Sequence, residues 1–248
     1  MFAADALRDK RALVTGASSG LGRHFALVLA AHGAEVVVAA RRADALSATV
    51  DAIGSRASAV TMDVRDAASV DAAVAAAGAL DIVVNNAGIA QTRPALETTD
   101  DDWNAVIDTN LTGAFRVARA AARAMAADGR GGAIVNIASI LALRVAKQVP
   151  AYVAAKAALV RLTEALALEL AAKSIRVNAI APGYVETDLN RDFLASPAGE
   201  AMARRVPMRR FGRPDDLDGA LLLLASDAGR YMTGATIVVD GGHGVVWL

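Results

Sequence analysis

Two kinds of segment alternate along almost the whole chain, and this alternation constrains the fold more than any other feature. Short runs rich in Val and Ile are followed by longer stretches rich in Ala and Leu, which is the pattern of strand-helix-strand units in a parallel sheet. The predicted strands are Ala12–Thr15, Glu35–Ala39, Ala59–Met62, Ile82–Asn85, Ala133–Ala138, Arg176–Ala181 and Thr236–Val239. The predicted helices are Leu21–His32, Ala43–Ile53, Ala67–Ala77, Asp102–Ala127, Tyr152–Ala172 and Asp215–Ser226. We therefore expect an α/β fold, a doubly wound parallel sheet of about seven strands with helices on both faces.

One domain accounts for the 248 residues. No linker rich in Ser, Pro or Gly divides the chain, and no segment repeats at a fixed period. Only residues 184–213 depart from the alternation, because no clear strand pattern occurs there. A stretch of that length without regular structure usually covers a site or moves, so we expect it to be a substrate lid.

The charge balance argues against two classes of partner. Lys and Arg together number 26, as do Asp and Glu, so there is no excess of positive charge for nucleic acid or an anionic membrane surface. Charge, Gly or Pro interrupts every apolar run before the roughly 18 residues that a membrane span needs. We expect neither nucleic acid nor a membrane as a partner.

The chain has no cysteine, which excludes disulfides and thiolate chemistry and suits a reducing compartment. His24, His32 and His243 are its three histidines, and they lie far apart, so we expect no metal site, although carboxylates could still hold a labile ion. Met1–Lys10 lacks the basic start and the apolar stretch of a signal peptide. These observations predict a cytoplasmic protein.

A glycine-rich segment, Thr15–Gly22, lies between the first predicted strand and the first predicted helix. Glycine lets the main chain turn sharply and approach a pyrophosphate, and the following helix N-terminus offers unpaired N–H groups. The segment predicts a Rossmann-type dinucleotide site, with a merely tight turn as the alternative. A nucleoside triphosphate loop is excluded because Arg23 and His24 follow Gly22 where Lys and Ser or Thr are needed. The predicted cofactor contacts are Gly16, Ser18, Ser19, Gly20, Leu21 and Gly22.

The end of the second strand indicates which dinucleotide is bound. A site selective for NAD(H) would place an acidic residue about 20 residues after the glycines, where it binds the ribose hydroxyls. Here Arg41 and Arg42 occupy that position, and a guanidinium binds a 2′-phosphate through charge-assisted hydrogen bonds. NADP(H) is the favoured cofactor and NAD(H) the alternative; the two arginines could also be solvated charges at a helix start.

Nearly the whole chain resembles the short-chain dehydrogenase/reductase (SDR) family, in particular its carbonyl-reductase and 3-oxoacyl-thioester-reductase members. After Thr15–Gly22 the family's motifs follow in order: Asp63-Val64, Asn85-Asn86-Ala87-Gly88, Tyr152-x-x-x-Lys156 and Pro182-Gly183. The further cofactor contacts that this resemblance implies are Asp63, Val64, Asn86, Ala87, Gly88, Tyr152, Lys156, Pro182, Gly183, Val185 and Thr187.

The same resemblance implies a catalytic set of Asn110, Ser139, Tyr152 and Lys156. Tyr152 and Lys156 are four residues apart, so on a helix their Cβ atoms lie on one face, about 5–6 Å apart. A neighbouring ammonium favours the phenolate, so we expect the pKa of Tyr152 to be lowered, which makes proton exchange with an alkoxide practical. Taken singly, each of the four residues has a structural alternative. Asn110 could be an amide in a turn or a helix, and Ser139 a cap at a strand end. Tyr152 could be a surface aromatic residue and Lys156 a solvated charge.

The implied activity is reversible, NADPH-dependent reduction of a ketone to a secondary alcohol. Tyr152 would act as general acid and base, Ser139 would stabilise charge on the substrate oxygen, and Lys156 would hydrogen-bond the nicotinamide ribose. By the same resemblance, Asn110 would hold a water that links Lys156 to solvent. The alternatives are an NAD-dependent alcohol, hydroxysteroid or polyol dehydrogenase and a catalytically silent nucleotide-sensing protein. A hydrolase is disfavoured because Ser139 lacks Gly-x-Ser-x-Gly surroundings.

The substrate is expected to be a small carbonyl or alcohol in an apolar pocket. Each apolar candidate could equally belong to the core. The candidates are Ile140, Leu141, Leu143, Val145, Val149, Tyr184, Leu189, Phe193, Leu194 and Met202.

Two further features lie towards the C-terminus. Five arginines near the end of the lid could attract an anionic carrier or form a solvated face: Arg204, Arg205, Arg209, Arg210 and Arg213. The tail Gly241–Leu248 ends in apolar residues, and members of the resembled family commonly form homotetramers, so we expect a homotetramer with the tail at a subunit contact.

Overall fold

Seven parallel strands form one sheet in the computed structural model, which describes residues 2–187 and 190–245. The strands are β1 (Arg11–Thr15), β2 (Glu35–Ala40), β3 (Ala57–Thr61), β4 (Ile82–Asn85), β5 (Gly132–Ile137), β6 (Ile175–Pro182) and β7 (Thr236–Val239). Their order is β3-β2-β1-β4-β5-β6-β7, and every neighbouring pair is parallel. The predicted doubly wound parallel sheet is confirmed.

Helices cover both faces of the sheet. In the described residues they are α1 (Gly20–Ala31), α2 (Asp44–Ile53), α3 (Ala67–Ala77), α4 (Asp100–Ile107), α5 (Gly113–Asp128), α6 (Pro150–Leu170), α7 (Arg191–Leu194), α8 (Pro197–Ala203) and α9 (Asp218–Ala225). On one face Phe25 and Leu29 of α1 pack with Leu221 of α9, and on the other Val74 of α3 packs with Val117 of α5. Full burial of each such side chain contributes roughly 1.5–3 kcal/mol, which explains why two apolar helix layers hold the sheet between them.

The sheet order places a crevice between β1 and β4. These strands are neighbours, but the chain continues from β1 towards β2 on one side and from β4 towards β5 on the other. The loops that follow them therefore diverge, and the carboxyl edge of the sheet opens there. In such sheets ligands bind at this point of reversal.

The single helix predicted over Asp102–Ala127 is wrong. α4 ends at Ile107, a π-helical turn spans Asp108–Thr112, and α5 begins at Gly113. Tertiary contacts explain the interruption: the carboxamide of Asn110, inside the π turn, is hydrogen-bonded to the main chain of Ile89. Such turns within helices occur frequently at functional sites.

The segment 184–213, for which the sequence predicts no clear strand, contains the short helices α7 and α8. Its two ends are joined, because Val185 and Gly212 form an isolated β-bridge and Gly212 N donates to Tyr184 O at 2.9 Å. The segment therefore leaves and re-enters the fold at one place.

In the described ranges, no helix combines the length and the apolar character required to cross a membrane.

Candidate active site

Thr15, the last residue of β1, joins the glycine turn to the end of β4. Its hydroxyl accepts hydrogen bonds from the main-chain N–H groups of Asn86 and Ala87, both at 3.0 Å. The Asn86 carboxamide in turn donates to Thr15 O at 3.1 Å and to Gly16 O at 3.4 Å. The two loops that flank the crevice are thus fixed against each other by buried or half-buried polar groups.

Glycine is required at two positions of this turn by close approach. Gly16 has a φ of +65°, and a Cβ there would lie 2.9 Å from Ala87 Cα. A Cβ on Gly22 would lie 2.2 Å from Gly16 O and 2.4 Å from Asn86 Nδ2. The turn therefore needs these glycines to close on itself, and α1 begins there with its N-terminus at the crevice. Ser19 is the N-cap residue of α1, and its side chain makes no capping hydrogen bond. The main-chain N–H groups of the first turn of α1 are therefore not bonded by the Ser19 hydroxyl.

Arg41 and Arg42 lie exposed just after β2, at the same edge of the sheet. Neither guanidinium has an ion pair or a hydrogen bond among the residues that the structure describes. By contrast, Asp63, which follows β3, accepts from Arg65 at 2.8 Å, and this hydrogen bond, aided by the charge of Arg41, lowers the pKa of Asp63. Val64 is buried, and its side chain lies beside Gly113, the first residue of α5.

The end of β6 forms the opposite wall of the crevice. Pro182 ends the strand, and Gly183 passes so near β7 that a Cβ on it would lie 2.8 Å from Asp240 Cα. Val185 is buried, and Thr187 Cγ2 lies 3.9 Å from the position of a Cβ on Gly20. The predicted contacts from the glycine turn and from this loop therefore face each other across one gap.

Ser139, Tyr152 and Lys156 meet where β5 ends and α6 begins. Pro150 occupies the first turn of α6, a position that suits proline because no N–H partner is needed there. The Lys156 ammonium is buried, donates to Ile137 O at 2.6 Å and lies 5.6 Å from the centre of the Tyr152 ring. Tyr152 is half-buried and lines the same cavity as Ser139, whose Oγ accepts from Leu141 N at 3.1 Å.

A buried chain of polar side chains holds α6 in this position. Asn85 at the end of β4 donates to Asn136 of β5 at 2.9 Å, and Asn136 donates to the Thr163 hydroxyl of α6 at 2.9 Å. The Thr163 hydroxyl also donates to Leu159 O at 2.8 Å. Each buried polar group would cost free energy if left unpaired, so these bonds specify one placement of α6 on the sheet.

The expected lowering of the Tyr152 pKa is wrong for this arrangement. Burial raises the pKa of Tyr152 above its ordinary value of 10.0, the hydrogen bond with Ser139 opposes the rise, and nearby Tyr184 adds to it. Burial also lowers the pKa of Lys156 from 10.5 to about 8. Desolvation thus acts on both groups and favours their neutral forms, and a protonated Tyr152 is suited to donate a proton.

Asn110 is placed beside the site, but its side chain is already engaged. Its Oδ1 accepts from Ile89 N and its Nδ2 donates to Ile89 O, both at 2.8 Å, and the residue is buried. These two bonds fix the loop after β4, and Gly88 of that loop packs closely against the Asn110 carboxamide. The expected role of Asn110 in holding a water stays a prediction.

A cavity of about 610 Å³ opens onto these groups. Its lining includes predicted residues from the glycine turn, the loop after β4, the catalytic set and the loop after β6: Leu21, Asn86, Gly88, Ser139, Tyr152, Lys156, Pro182, Gly183, Val185 and Thr187. In the described part of the chain, no three His, Cys, Asp or Glu side chains lie together as metal ligands. The geometry combines a dinucleotide crevice with a hydroxyl, a phenol and an ammonium at one end.

Comparison with known proteins agrees with this geometry. Residues 16–244 match a family model described as enoyl-(acyl carrier protein) reductase. An L-rhamnose 1-dehydrogenase (NAD(P)(+)) of Azotobacter vinelandii is 42% identical over 95% of this chain and 97% of its own. A 2-dehydro-3-deoxy-D-gluconate 5-dehydrogenase of Escherichia coli is 40% identical, with 98% of each chain covered. The chain belongs to the SDR family.

Solved SDR structures share the whole fold. A gluconate 5-dehydrogenase from Burkholderia cenocepacia, in complex with NADP and tartrate, is 37% identical with a TM-score of 0.92 over 98% of this chain and 99% of that one. The protein is accordingly an oxidoreductase that acts on hydroxyl or carbonyl groups with a nicotinamide cofactor, and it takes a small-molecule substrate.

Only some of the apolar residues that we expected on the substrate side line this SDR cavity. Ile140, Leu141, Val149 and Tyr184 line it, but Leu143 and Val145 are exposed. Leu194 is buried outside the lining and Met202 is half-buried outside it, while Leu189 and the side chain of Phe193 lie outside the described residues. Lining residues that sequence reasoning missed are Ile89, Ala90, Thr92, Ile137, Ala138, Ala146, Lys147 and Asn190. Their only sequence signal is their position after β4, at the end of β5, before α6 or in the segment 184–213.

Intramolecular contacts engage most of the arginine cluster near the end of the segment 184–213. Arg210 pairs with Asp216 at 2.6 Å, Arg213 with Asp215 at 3.3 Å and Arg204 with Glu200 at 3.8 Å. Arg209 donates to Arg204 O. These contacts favour the solvated-face interpretation over a site for an anionic carrier.

The described part of the tail folds back on its own chain. Gly244 O accepts from Arg144 Nε at 2.7 Å, and the His243 ring lies 5.6 Å from that of Tyr184. Residues 246–248, the end of the tail that we expected at a subunit contact, lie outside the described residues.

Proposed function

We propose that the protein is an NADP(H)-preferring oxidoreductase that interconverts a secondary alcohol and a ketone on a small, polyhydroxylated, sugar-derived molecule. One observation carries this proposal: Ser139, Tyr152 and buried Lys156 line the same cavity as Leu21 of the glycine turn. The hydroxyl groups of Thr92 and Tyr184 interrupt the apolar lining and could bind substrate hydroxyls.

The residues of the crevice fit a nicotinamide dinucleotide, which when bound supplies or accepts the hydride. Its pyrophosphate fits the N-terminus of α1, where main-chain N–H groups can bind an anion. Gly16 and Gly22 have no Cβ atoms, so the main chain of the turn can approach that anion closely. The loops at Gly88 and Gly183 border the end of the cavity that holds the catalytic set.

During reduction, the Tyr152 hydroxyl donates its proton to the substrate oxygen, and Ser139 donates a hydrogen bond to the same oxygen as negative charge develops there. During oxidation, the phenolate of Tyr152 removes the hydroxyl proton. Lys156 holds a positive charge beneath the Tyr152 ring when protonated, which stabilises that phenolate.

The preference for NADP(H) rests on Arg41. Its guanidinium is exposed at the end of β2 and is accompanied there by a second arginine, Arg42. Its charge acts on the pKa of the Asp63 carboxyl, but in the described residues it makes no ion pair or hydrogen bond. A 2′-phosphate would supply an anion that this pair could bond directly.

Arg41→Ala tests the preference. The variant should raise the Michaelis constant for NADPH about tenfold and leave that for NADH nearly unchanged, because only NADPH carries the 2′-phosphate. Arg56→Ala is the matched control, since Arg56 is exposed at the opposite edge of the sheet, before β3. Equal changes for both cofactors would contradict the 2′-phosphate role.

Turnover of a substrate panel tests the activity itself. Polyols, sugars and sugar acids would be supplied with NADP⁺ or NAD⁺, and ketoses and keto acids with NADPH or NADH, while the absorbance of the reduced nicotinamide is followed. The proposal predicts turnover with at least one polyhydroxylated substrate and faster turnover with the phosphorylated cofactor. Cofactor binding without any turnover would instead favour the nucleotide-sensing alternative.

We also propose a homotetramer that works in the cytoplasm. Leu168 on α6 and Val238 on β7 are apolar and exposed, which suits surfaces covered by another subunit. Sedimentation as a monomer would contradict this assembly.

A further inference from the structure

The charges around the substrate cavity are all of one sign. Lys147 and Lys156 are the only charged side chains in the described lining, which contains no Asp or Glu. A second cavity, beside Gly20, differs: there Glu186 and Asp215 accompany the arginines. The cavity at Tyr152 therefore attracts an anion.

Lys156 is already committed within the protein. Its ammonium is buried, donates to Ile137 O at 2.6 Å, and has a pKa lowered to about 8. Lys147 is different, because it is exposed and has no ion pair or side-chain hydrogen bond among the described residues. It is the cation of this cavity whose charge is free to meet a ligand.

Neighbouring arginines do not compete for that role. Arg93 pairs with Asp102 at 3.2 Å, and Arg144 donates to Gly244 O at 2.7 Å. Both guanidinium groups are bonded elsewhere in the protein, and neither arginine lines the cavity.

The loop that carries Lys147 is held on both sides of it. Arg144 fastens the loop to the tail, and Gln148 O accepts from Arg93 N at 2.7 Å. Gln148 has a φ of +67°, in the left-handed region that residues other than glycine rarely adopt. Such a conformation persists only where its surroundings impose it, so the main chain that carries Lys147 is held in place beside the start of α6.

We propose that Lys147 binds a carboxylate of the substrate, so that the preferred substrates are hydroxy or keto acids derived from sugars and not neutral polyols. This inference rests on the proposed function. The chemistry is a single ion pair: one ammonium at the cavity mouth, with no competing carboxylate in the lining, recognises one carboxylate while Tyr152 and Ser139 engage an oxygen farther along the same molecule.

The test compares two substrates that differ only at one terminus. D-Gluconate carries a carboxylate where D-glucitol carries a hydroxymethyl group, and both are offered with NADP⁺. In the wild type, kcat/KM should be higher for the acid. Lys147→Gln should raise KM for gluconate about fivefold to tenfold, without a matching change in kcat and without a change for glucitol. Lys147→Arg should restore most of the loss.

Lys173→Gln is the control for the lost charge. Lys173 is exposed between α6 and β6, at the opposite edge of the sheet, so the variant has the same net charge but should keep the wild-type preference. Raising the salt concentration should weaken gluconate turnover in the wild type and have much less effect in Lys147→Gln, because screening acts on the ion pair.

Binding measurements separate a failure of this inference from a failure of the proposed function. Calorimetric titration of the NADP⁺ complex with tartrate should show binding that weakens in Lys147→Gln and persists in Lys173→Gln. Turnover of neutral polyols with no advantage for acids, and equal tartrate binding by both variants, would overturn the carboxylate site and leave the oxidoreductase proposal standing. Absent turnover of every substrate, combined with tartrate binding that depends on Lys147, would overturn the proposed function alone. A preference for phosphorylated sugars over gluconate would also overturn the inference.

Discussion

The cofactor side and the substrate side of the same cavity are built in different ways. On the cofactor side, strand ends and their first loops touch directly, with hydrogen bonds such as that from Asn86 N to the Thr15 hydroxyl at 3.0 Å and with no room for a Cβ at Gly22. On the substrate side, the loop before α6 and the segment 184–213 are fastened at a few points, among them Gln148 O and the bridge of Val185 with Gly212.

This difference separates chemistry that is set by the fold from specificity that is set by loops. The dinucleotide crevice follows from the sheet order, so any substitution there acts on packing and cofactor binding together. The substrate wall can change without disturbing the sheet, which is the usual way in which one fold serves many substrates. Variants that affect one side and not the other therefore test the comparison directly.

Removal of the Tyr152 hydroxyl should have the largest effect. Tyr152→Phe keeps the ring over Lys156 but removes the group that exchanges a proton with the substrate, so kcat should fall on the order of 100- to 10,000-fold. Cofactor affinity should change little, because the ring stays in place and only the hydroxyl is lost. Tyr231→Phe, at a fully exposed tyrosine, is the matched control. Near-normal turnover in Tyr152→Phe would exclude the proton-transfer role.

The features predictable from the sequence are those that depend on local pattern. Runs such as Val36, Val37 and Val38 are buried on both faces in a parallel sheet, so they indicate a central strand without further information. The glycine turn and the spacing of Tyr152 and Lys156 are equally local, and all of these elements occur where the sequence placed them.

Features that depend on distant contacts were missed or wrong. The π turn at Asp108–Thr112 has no recognisable pattern of its own in the sequence, and it accompanies bonds between Asn110 and the distant Ile89. The pKa of Tyr152 rises because of burial, which no spacing of residues reveals. Lys147 was overlooked because a lysine in a loop has no pattern that separates a ligand-binding charge from a solvated one.

Burial of Lys156, on the cofactor side of the cavity, should make the free energy of unfolding depend on pH. Its pKa is lowered from 10.5 to about 8 by burial, so between those values the folded state holds fewer protons than the unfolded chain. The free energy of unfolding therefore rises with pH across that window, by up to roughly 3 kcal/mol from this group.

The matched measurement is the free energy of unfolding of wild type and Lys156→Met at several pH values. The difference between them should be constant below about pH 8 and should shift in favour of the wild type as pH rises towards 10.5, since the variant has no ammonium to bury. A difference that is independent of pH would show that the ammonium is solvated, and Lys156 would then not be the buried charge beneath Tyr152.

Gly22→Ala should have a smaller effect, confined to the cofactor side. A Cβ there would lie 2.2 Å from Gly16 O and 2.4 Å from Asn86 Nδ2, so the turn must shift, at a cost of about 1–3 kcal/mol in stability. The same shift moves the N-terminus of α1, and the Michaelis constants for both cofactors should rise together. Gly219→Ala is the control: nothing lies within 4 Å of the added methyl group, and alanine should stabilise α9 by up to about 1 kcal/mol. Because the substrate wall does not touch Gly22, the ratio of gluconate to glucitol turnover should stay at its wild-type value in both variants. A changed ratio in Gly22→Ala would mean that the two sides are mechanically coupled and that loop contacts alone do not set the specificity.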